Sequence, residues 1–150
     1  MANVGFTVNN LLSGVSGKDC RFLSGQNDLV YSSGSGLIAG ALLEWVLPFD
    51  AIVLKGMLAV IVTDGESSGS NLTDVKVGYL DSDDALQGLT ANNLDGPTHT
   101  TGRQTFDMDA TDKTLILPAG TIVQIVVSSG DATAMSRSFG SLAVLPVFSN

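Results

Sequence analysis

The sequence has one cysteine and one histidine among 150 residues, and charged residues make up only 15% of the chain. The single cysteine, Cys20, cannot form an intramolecular disulfide, and Cys20 and His99 together supply too few of the ligands that zinc prefers. We interpret Cys20 as a small buried hydrophobic residue. The composition therefore predicts neither a disulfide framework nor a zinc centre.

Basic residues are also scarce, with seven Lys and Arg against 15 Asp and Glu and a formal net charge of −8. Because nucleic-acid binding relies on basic groups that displace counterions from phosphates, we expect no direct binding to DNA or RNA. The chain has no apolar run of roughly 18 residues, so we predict no membrane span and no membrane partner. The segment "MANVGFTVNN" lacks the basic and apolar regions of a secretory signal, so we expect a protein that is made and used without export.

Residues suited to catalysis or metal binding do not form a recognisable set. His99 lies in "GPTHTTG", a loop rich in threonine, and we interpret it as a surface histidine. The acidic segment that begins at Asp81 has Leu86 and Asn92 at its sixth and twelfth positions, where a calcium loop requires Gly and Glu. We therefore predict that the protein is not an enzyme and has no catalytic residue, no bound metal and no cofactor.

The segment "VYSSGSGLIAGALLEW" carries three closely spaced glycines, Gly34, Gly36 and Gly40. A strand, a glycine turn and a helix in this order would form a nucleotide-binding unit, with Asp64 near the position of a ribose-binding acid. However, the residues before this segment are polar, and the later strands are joined by turns rather than by crossover helices. The favoured interpretation is a buried strand, with Gly40 at a bulge or a close backbone approach.

Period-two alternation dominates the rest of the chain. Val75, Val77 and Tyr79 share one strand face, and Phe106 and Met108 share another. The segments "MLAVIVTDG", "TIVQIVVSSG" and "SLAVLPVF" are apolar on both faces, which suits a sandwich whose outer surface meets another subunit. We predict an all-β, single-domain jelly-roll-like β-sandwich of about eight strands over residues 19–150, preceded by an N-terminal arm over residues 1–18.

Two connections carry specific predictions. Pro118 and Gly120 in "LPAGT" predict a tight connection between neighbouring strands "KTLIL" and "TIVQIVV". The segment 81–102 shows no sustained strand pattern, and Ser82 is placed to cap a single helical turn that ends at Gly88. A connection of this length usually carries function or wraps a neighbour.

Three aromatic residues, Trp45, Tyr31 and Tyr79, offer a possible sugar-stacking platform on a sheet face. Each also lies where strand alternation can bury it, and aromatic residues are only 6% of the chain. Packing in the core is the favoured interpretation.

From Leu47 onward the chain resembles small structural proteins of tailed bacteriophages that accompany the capsid protein. The resemblance is carried by "LPFDAIVLKGMLAVIVTDG", by "VGYLDSDDAL" from Val77 to Leu86, and by "LPAGTIVQIVVSSG" followed by "SLAVLPVF". It implies a capsid cement or decoration protein, a homotrimer on the capsid exterior of the virion that binds the major capsid protein and bridges its subunits. Such a protein is made in the host cytoplasm.

The residues before Leu47 match that family least. Phe6, Val8, Leu11 and Leu12 of the N-terminal arm are our candidates for contact with the capsid or with a sister protomer. The alternative function from another class is a carbohydrate- or receptor-binding β-sandwich module of a phage tail or fibre.

Overall fold

Most of the residues that the structure describes lie in β-strands. A computed structural model describes residues 20–27, 31–32, 40–62, 72–91, 102–130 and 134–148, and within these ranges the chain forms nine strands and no helix. The strands are β1 (Arg21–Asn27), β2 (Tyr31–Ser32), β3 (Gly40–Val46), β4 (Ala51–Val62), β5 (Leu72–Leu80), β6 (Leu86–Gly88), β7 (Gly102–Asp109), β8 (Ile122–Gly130) and β9 (Ala134–Pro146). The prediction of an all-β chain is confirmed.

The strands form two antiparallel sheets. Sheet A has the order β1-β9-β4-β7, with the two-residue β2 also paired to β9, and sheet B has the order β3-β8-β5-β6. When β2 is left out, the first strand pairs with the last, the second with the seventh, the third with the sixth and the fourth with the fifth. This nesting is a long hairpin rolled into two sheets, so the predicted jelly-roll sandwich is confirmed. The predicted boundary at residue 18 lies outside the described residues.

Alternation along each strand decides which side chains fill the space between the sheets. In β7, Gln104, Phe106 and Met108 are buried while the intervening residues are exposed. Their partners in the core include Val60 and Leu142, both with no exposed surface. Burial of such apolar side chains supplies most of the stabilisation that a sandwich of this kind has.

Glycines on the inner face of sheet A let large side chains of sheet B approach its backbone closely. A Cβ atom added at Gly140 would meet the Leu43 side chain and would lie 2.8 Å from the Met57 carbonyl oxygen. A Cβ at Gly56 would overlap Val77, and one at Gly25 would lie 3.0 Å from the Trp45 ring. The contact between the sheets therefore depends on three positions that have no side chain.

Hydrogen bonds close the two long sides of the sandwich. On one side, the Asn27 side-chain amide donates to the Leu42 carbonyl at 3.0 Å and joins β1 to β3. On the other side, the buried Thr90 hydroxyl accepts from the Val77 N–H and donates to the Ala91 carbonyl, both at 3.0 Å. Each bond satisfies a polar group that the packing removes from water.

The segment 113–117 is not the strand that the sequence predicted. Only Leu117 pairs, in an isolated antiparallel bridge with Ala51. "LPAGT" forms a turn in which the Thr121 N–H donates to the Pro118 carbonyl at 3.1 Å, and β8, which follows, pairs with β3 and β5 instead. The prediction of a tight connection between neighbouring strands is therefore wrong, because the turn carries the chain from one sheet to the other.

The predicted helical turn after Ser82 is also absent. The Asp81 carboxylate, rather than the Ser82 hydroxyl, accepts hydrogen bonds from the backbone of this segment. The chain reverses at Asp84, whose φ is 58°, and Leu86–Gly88 returns as β6 against β5. An aspartate side chain competes well for nearby N–H groups in turns, and here it favours a hairpin over a helix.

The glycine-rich segment ends in a strand, as predicted. Residues 40–46 form β3, with a register shift between Ala41 and Leu43 and a φ of 123° at Gly40. The helix that nucleotide binding requires is not formed by these residues, and that alternative is wrong. Gly34 and Gly36 lie outside the described residues.

Substitution of Gly140 by alanine tests the close approach of the sheets. We expect Gly140→Ala to lower the free energy of unfolding by about 1–3 kcal/mol, because the added methyl group meets Leu43 and a backbone oxygen. The matched control is Gly88→Ala, whose Cβ would find its nearest neighbour, the Thr90 oxygen, at an ordinary 3.8 Å. Urea unfolding followed by tryptophan fluorescence measures both, and equal midpoints for the two variants would contradict the account.

Candidate interaction surface

The four residues proposed for contact, Phe6, Val8, Leu11 and Leu12, lie outside the described residues, as does His99. Their predicted roles are therefore untested by the fold. The interaction surfaces that the structure does describe come from other residues, on the outer face of sheet A and at one end of the sandwich.

Two of the three aromatic residues of the possible sugar platform point into the molecule. Trp45 is 9% exposed and belongs to the core, and Tyr79 packs against that core. Packing in the core is therefore the correct interpretation for both, and neither offers a free ring face to a sugar. The side chain of Tyr31 lies outside the described part of the chain.

Chemical groups that could support catalysis are not gathered in the described ranges. No group of three or more His, Cys, Asp or Glu residues there could hold a metal ion, and no helix there is long and apolar enough to cross a membrane. Cys20 is buried as predicted, and burial raises the pKa of its thiol. The segment "GESSG" from Gly65 to Gly69 matches a nucleophile-elbow pattern, but it lies outside the described residues. A nucleophile elbow requires a strand, a sharp turn and a helix in succession, and of these the described residues include only the preceding strand, β4.

Asp81 organises the acidic turn of "DSDDAL". One of its carboxylate oxygens accepts hydrogen bonds from the Ala85 and Asp83 N–H groups at 3.0 and 2.9 Å, and the other accepts from the Gln87 side chain at 2.7 Å. These three hydrogen bonds hold the pKa of the Asp81 carboxyl below its usual value, and the bond from the Ala85 N–H has the largest effect. The carboxylate is thus used within the turn, which accounts for an acidic cluster without a bound cation.

The outer face of sheet A carries four rows of side chains across its strands, set by the strand register. The rows at the two ends of this face carry charges, whereas the two middle rows are uncharged except at β7. In order, the rows are Arg103, Ile61 and Arg137; Thr105, Ala59, Phe139 and Gln26; Asp107, Met57, Ser141 and Ser24; and Asp109, Lys55, Ala143 and Phe22.

A shallow groove follows the two middle rows. Its volume is about 490 Å³ on the β7 side of Phe139, where Met57, Ala59, Thr105 and Ser141 line it. A second depression continues it past Phe139 onto β1. Phe139 is 36% exposed at the centre, so we call this feature the outer groove. It crosses all four long strands of sheet A, and among the described residues that line it Asp107 is the one with a charge.

Charges border the outer groove on both sides. Lys55 and Asp107 form an ion pair at 2.8 Å, and the hydrogen bond to Asp107 raises the pKa of Lys55. The pair is partly exposed, so its contribution to stability is small. The Lys55–Asp107 pair lies along one side of the groove, and Arg103 lies along the other.

Exposed hydrophobic side chains also gather at one end of the sandwich. Val46, Ile116 and Phe148 are 62%, 51% and 77% exposed. Backbone hydrogen bonds bring their neighbours together, since Leu117 pairs with Ala51 and the Val147 N–H donates to the Asp50 carbonyl at 2.8 Å. We call these three side chains the apolar end.

The outer groove and the apolar end were missed as sites by sequence reasoning. The apolar content of β4 on both faces was a signal for the groove. However, Ala59 of β4 lies beside Phe139 only because β4 pairs with β9, and these two residues are 80 positions apart in the sequence (139 − 59). The apolar end had little signal in the sequence, because Ile116 stands between Leu115 and Leu117 in an apolar run and Phe148 closes the apolar segment that contains Pro146.

By its strand order and its two packed sheets, the described chain is a jelly-roll β-sandwich. No protein-family model matches the chain, and no curated protein matches it. Among solved structures it is similar to a chain of infectious bursal disease virus, Gx strain, with 18% identity and a TM-score of 0.48 over 87% of this chain.

A chain of the infectious bursal disease virus VP2 subviral particle is similar with 15% identity and a TM-score of 0.45 over 88% of this chain. Our chain spans 33% and 34% of the length of these two viral chains. Because the identities and TM-scores are low, function has to be argued from the surfaces of this chain.

The lowered pKa of Asp81 makes the acidic turn sensitive to acid in a defined direction. The turn keeps its hydrogen bonds above the ordinary carboxyl pKa of about 3.9 and loses them as the pH falls through the lowered pKa. In an NMR titration, the amide protons of Asp83 and Ala85 will therefore shift with a midpoint below about 3.9. Asp81→Asn removes this transition, and a midpoint at or above the ordinary value would refute the assignment.

Proposed function

We propose that the protein is a non-enzymatic structural component of a virion, which binds the outer surface of the capsid as a homotrimer and stabilises the head by bridging subunits of the major capsid protein. Its site of action is the capsid exterior, after synthesis in the host cytoplasm. The observation that carries the proposal is the apolar end, with the sequence resemblance to phage cement proteins as its second support.

The apolar end is suited to a permanent protein contact. Three large side chains lie more than half exposed on backbone that hydrogen bonds hold in place. Single exposed apolar side chains are ordinary, but several on segments that meet at one end of a sandwich are typical of surfaces that another protein covers. The apolar end is therefore our choice for the capsid contact.

The charge of the chain agrees with a position outside the shell. Its formal net charge of −8 opposes contact with packaged nucleic acid and does not oppose contact with protein. The inward orientation of Trp45 and Tyr79 removes the main structural reason for the alternative, a carbohydrate-binding module.

Cosedimentation with purified capsids that lack this protein tests the function. The unmodified protein will bind, and the double variant Ile116→Ser, Phe148→Ser will bind about tenfold more weakly or worse, since the loss of two apolar contacts costs at least that much. Both side chains are exposed, so the variant keeps its fold.

Phe22→Ser is the matched control for this experiment. Phe22 is also an exposed large hydrophobic residue, at 59%, but it lies on the outer face of sheet A opposite Ala143, which is five residues along the chain from Phe148 (148 − 143). It will bind capsids as the unmodified protein does. Failure of the unmodified protein to cosediment would overturn the function, whereas equal binding of the double variant would overturn only the choice of surface.

The oligomeric state is a separate expectation of the proposal. Size-exclusion chromatography with light scattering will give three times the 15.5 kDa mass of one chain. A stable monomer at micromolar concentration would contradict the homotrimer.

A further inference from the structure

We propose that the outer groove binds the N-terminal arm of a second copy of this chain, with Phe6 and Val8 of the arm packed around Phe139. This inference rests on the homotrimer of the proposed function, for which it names the contact. Each copy would give its arm to one neighbour and receive the arm of another, and three such contacts close a ring.

The middle of the groove and the arm both have few charged residues. Residues 1–17 contain no Asp, Glu, Lys or Arg, and the next two residues are Lys18 and Asp19. The middle rows of sheet A are likewise uncharged except for Asp107, with arginines along one rim and an ion pair along the other. A charged segment would lose its hydration in this channel, whereas the uncharged arm does not.

The apolar residues of the arm have the spacing that the groove requires. Phe6 and Val8 are two residues apart, so in an extended segment both face the same side. The groove offers them Met57 and Ala59, also two residues apart, with the half-exposed ring of Phe139 beside them. Thr105 and Ser141 at its edges supply hydroxyl groups for the polar backbone of a docked segment.

The arm is long enough to reach a second copy, whereas it would have to turn back along β1 to enter its own groove. Arg21 pairs with Val144, so Phe139 lies about 17 Å along the sheet from the point where the arm enters β1. Val8 precedes Cys20 by 12 residues (20 − 8), an extended reach of about 40 Å. A compact domain of this length has a radius of gyration of roughly 15 Å and is therefore about 40 Å across, so the reach matches the distance to a neighbour.

Disulfide trapping between two single variants of the full chain tests the contact. In a Cys20→Ser background, which leaves no other cysteine, one protein carries Asn10→Cys, on the same side of an extended arm as Phe6 and Val8, and the other carries Thr105→Cys. After mixing and mild oxidation, we expect a covalent dimer that contains one chain of each kind. Glu44→Cys in place of Thr105→Cys is the control, because Glu44 is exposed on the outer face of sheet B, and it will give no such dimer.

The other outcomes overturn the inference in distinct ways. An intrachain disulfide in a double variant, without dimers in the mixture, would show that each arm occupies its own groove. A trimer in light scattering without any disulfide at Thr105 would leave the homotrimer standing and remove the arm from the groove.

Two further variants show whether the contact holds the trimer together. Phe139→Asp and Phe6→Asp will each raise the concentration at which half of the protein is assembled by about tenfold or more. Phe139 belongs to β9, whereas Phe6 precedes β1 in the sequence, so the Phe6 variant stays informative even where Phe139→Asp disturbs the sheet, and circular dichroism checks the fold of both. Unchanged assembly in the Phe6 variant would refute the proposal.

Discussion

The close approach of sheet B to the backbone of sheet A is the contact on which the rest of the molecule depends. Gly140 and Gly56 leave room for Leu43 and Val77, and both glycines lie in the central strands of sheet A. The register that turns Gly140 and Gly56 inward also turns their neighbours Phe139 and Met57 outward, where they line the outer groove. The packing inside the sandwich and the shape of its outer face are therefore two consequences of one strand alignment.

Most of the fold could be predicted from alternation and β-branched content, since β5 and β7 are formed by segments whose apolar period is two and β8 by a β-branched run that is apolar on both faces. The predictions failed where one side chain or one distant contact decides the local structure. The Asp81 carboxylate accepts hydrogen bonds from nearby N–H groups and makes a hairpin, and Leu117 pairs with Ala51 in a single bridge instead of a strand. The first outcome depends on the geometry of one side chain and the second on a segment far along the chain, and apolar periodicity contains neither.

The candidate surfaces were harder to predict than the strands for the same reason. Ala59, Phe139 and Gln26 form one row although they come from three parts of the chain, and Ile116 and Phe148 share an end only through the segment near Asp50. In our proposal these surfaces have different partners, the outer groove a second copy of the chain and the apolar end a capsid subunit.

Hydroxyl-radical footprinting of the protein, free and bound to purified capsids, tests the central claim most directly. It reports the solvent access of individual Val, Ile and Phe side chains in the intact chain. We predict that labelling of Val46, Ile116 and Phe148 falls on capsid binding while labelling of Phe22 is unchanged. Unchanged labelling of the three residues at the apolar end, in protein that has bound to capsids, would contradict the account.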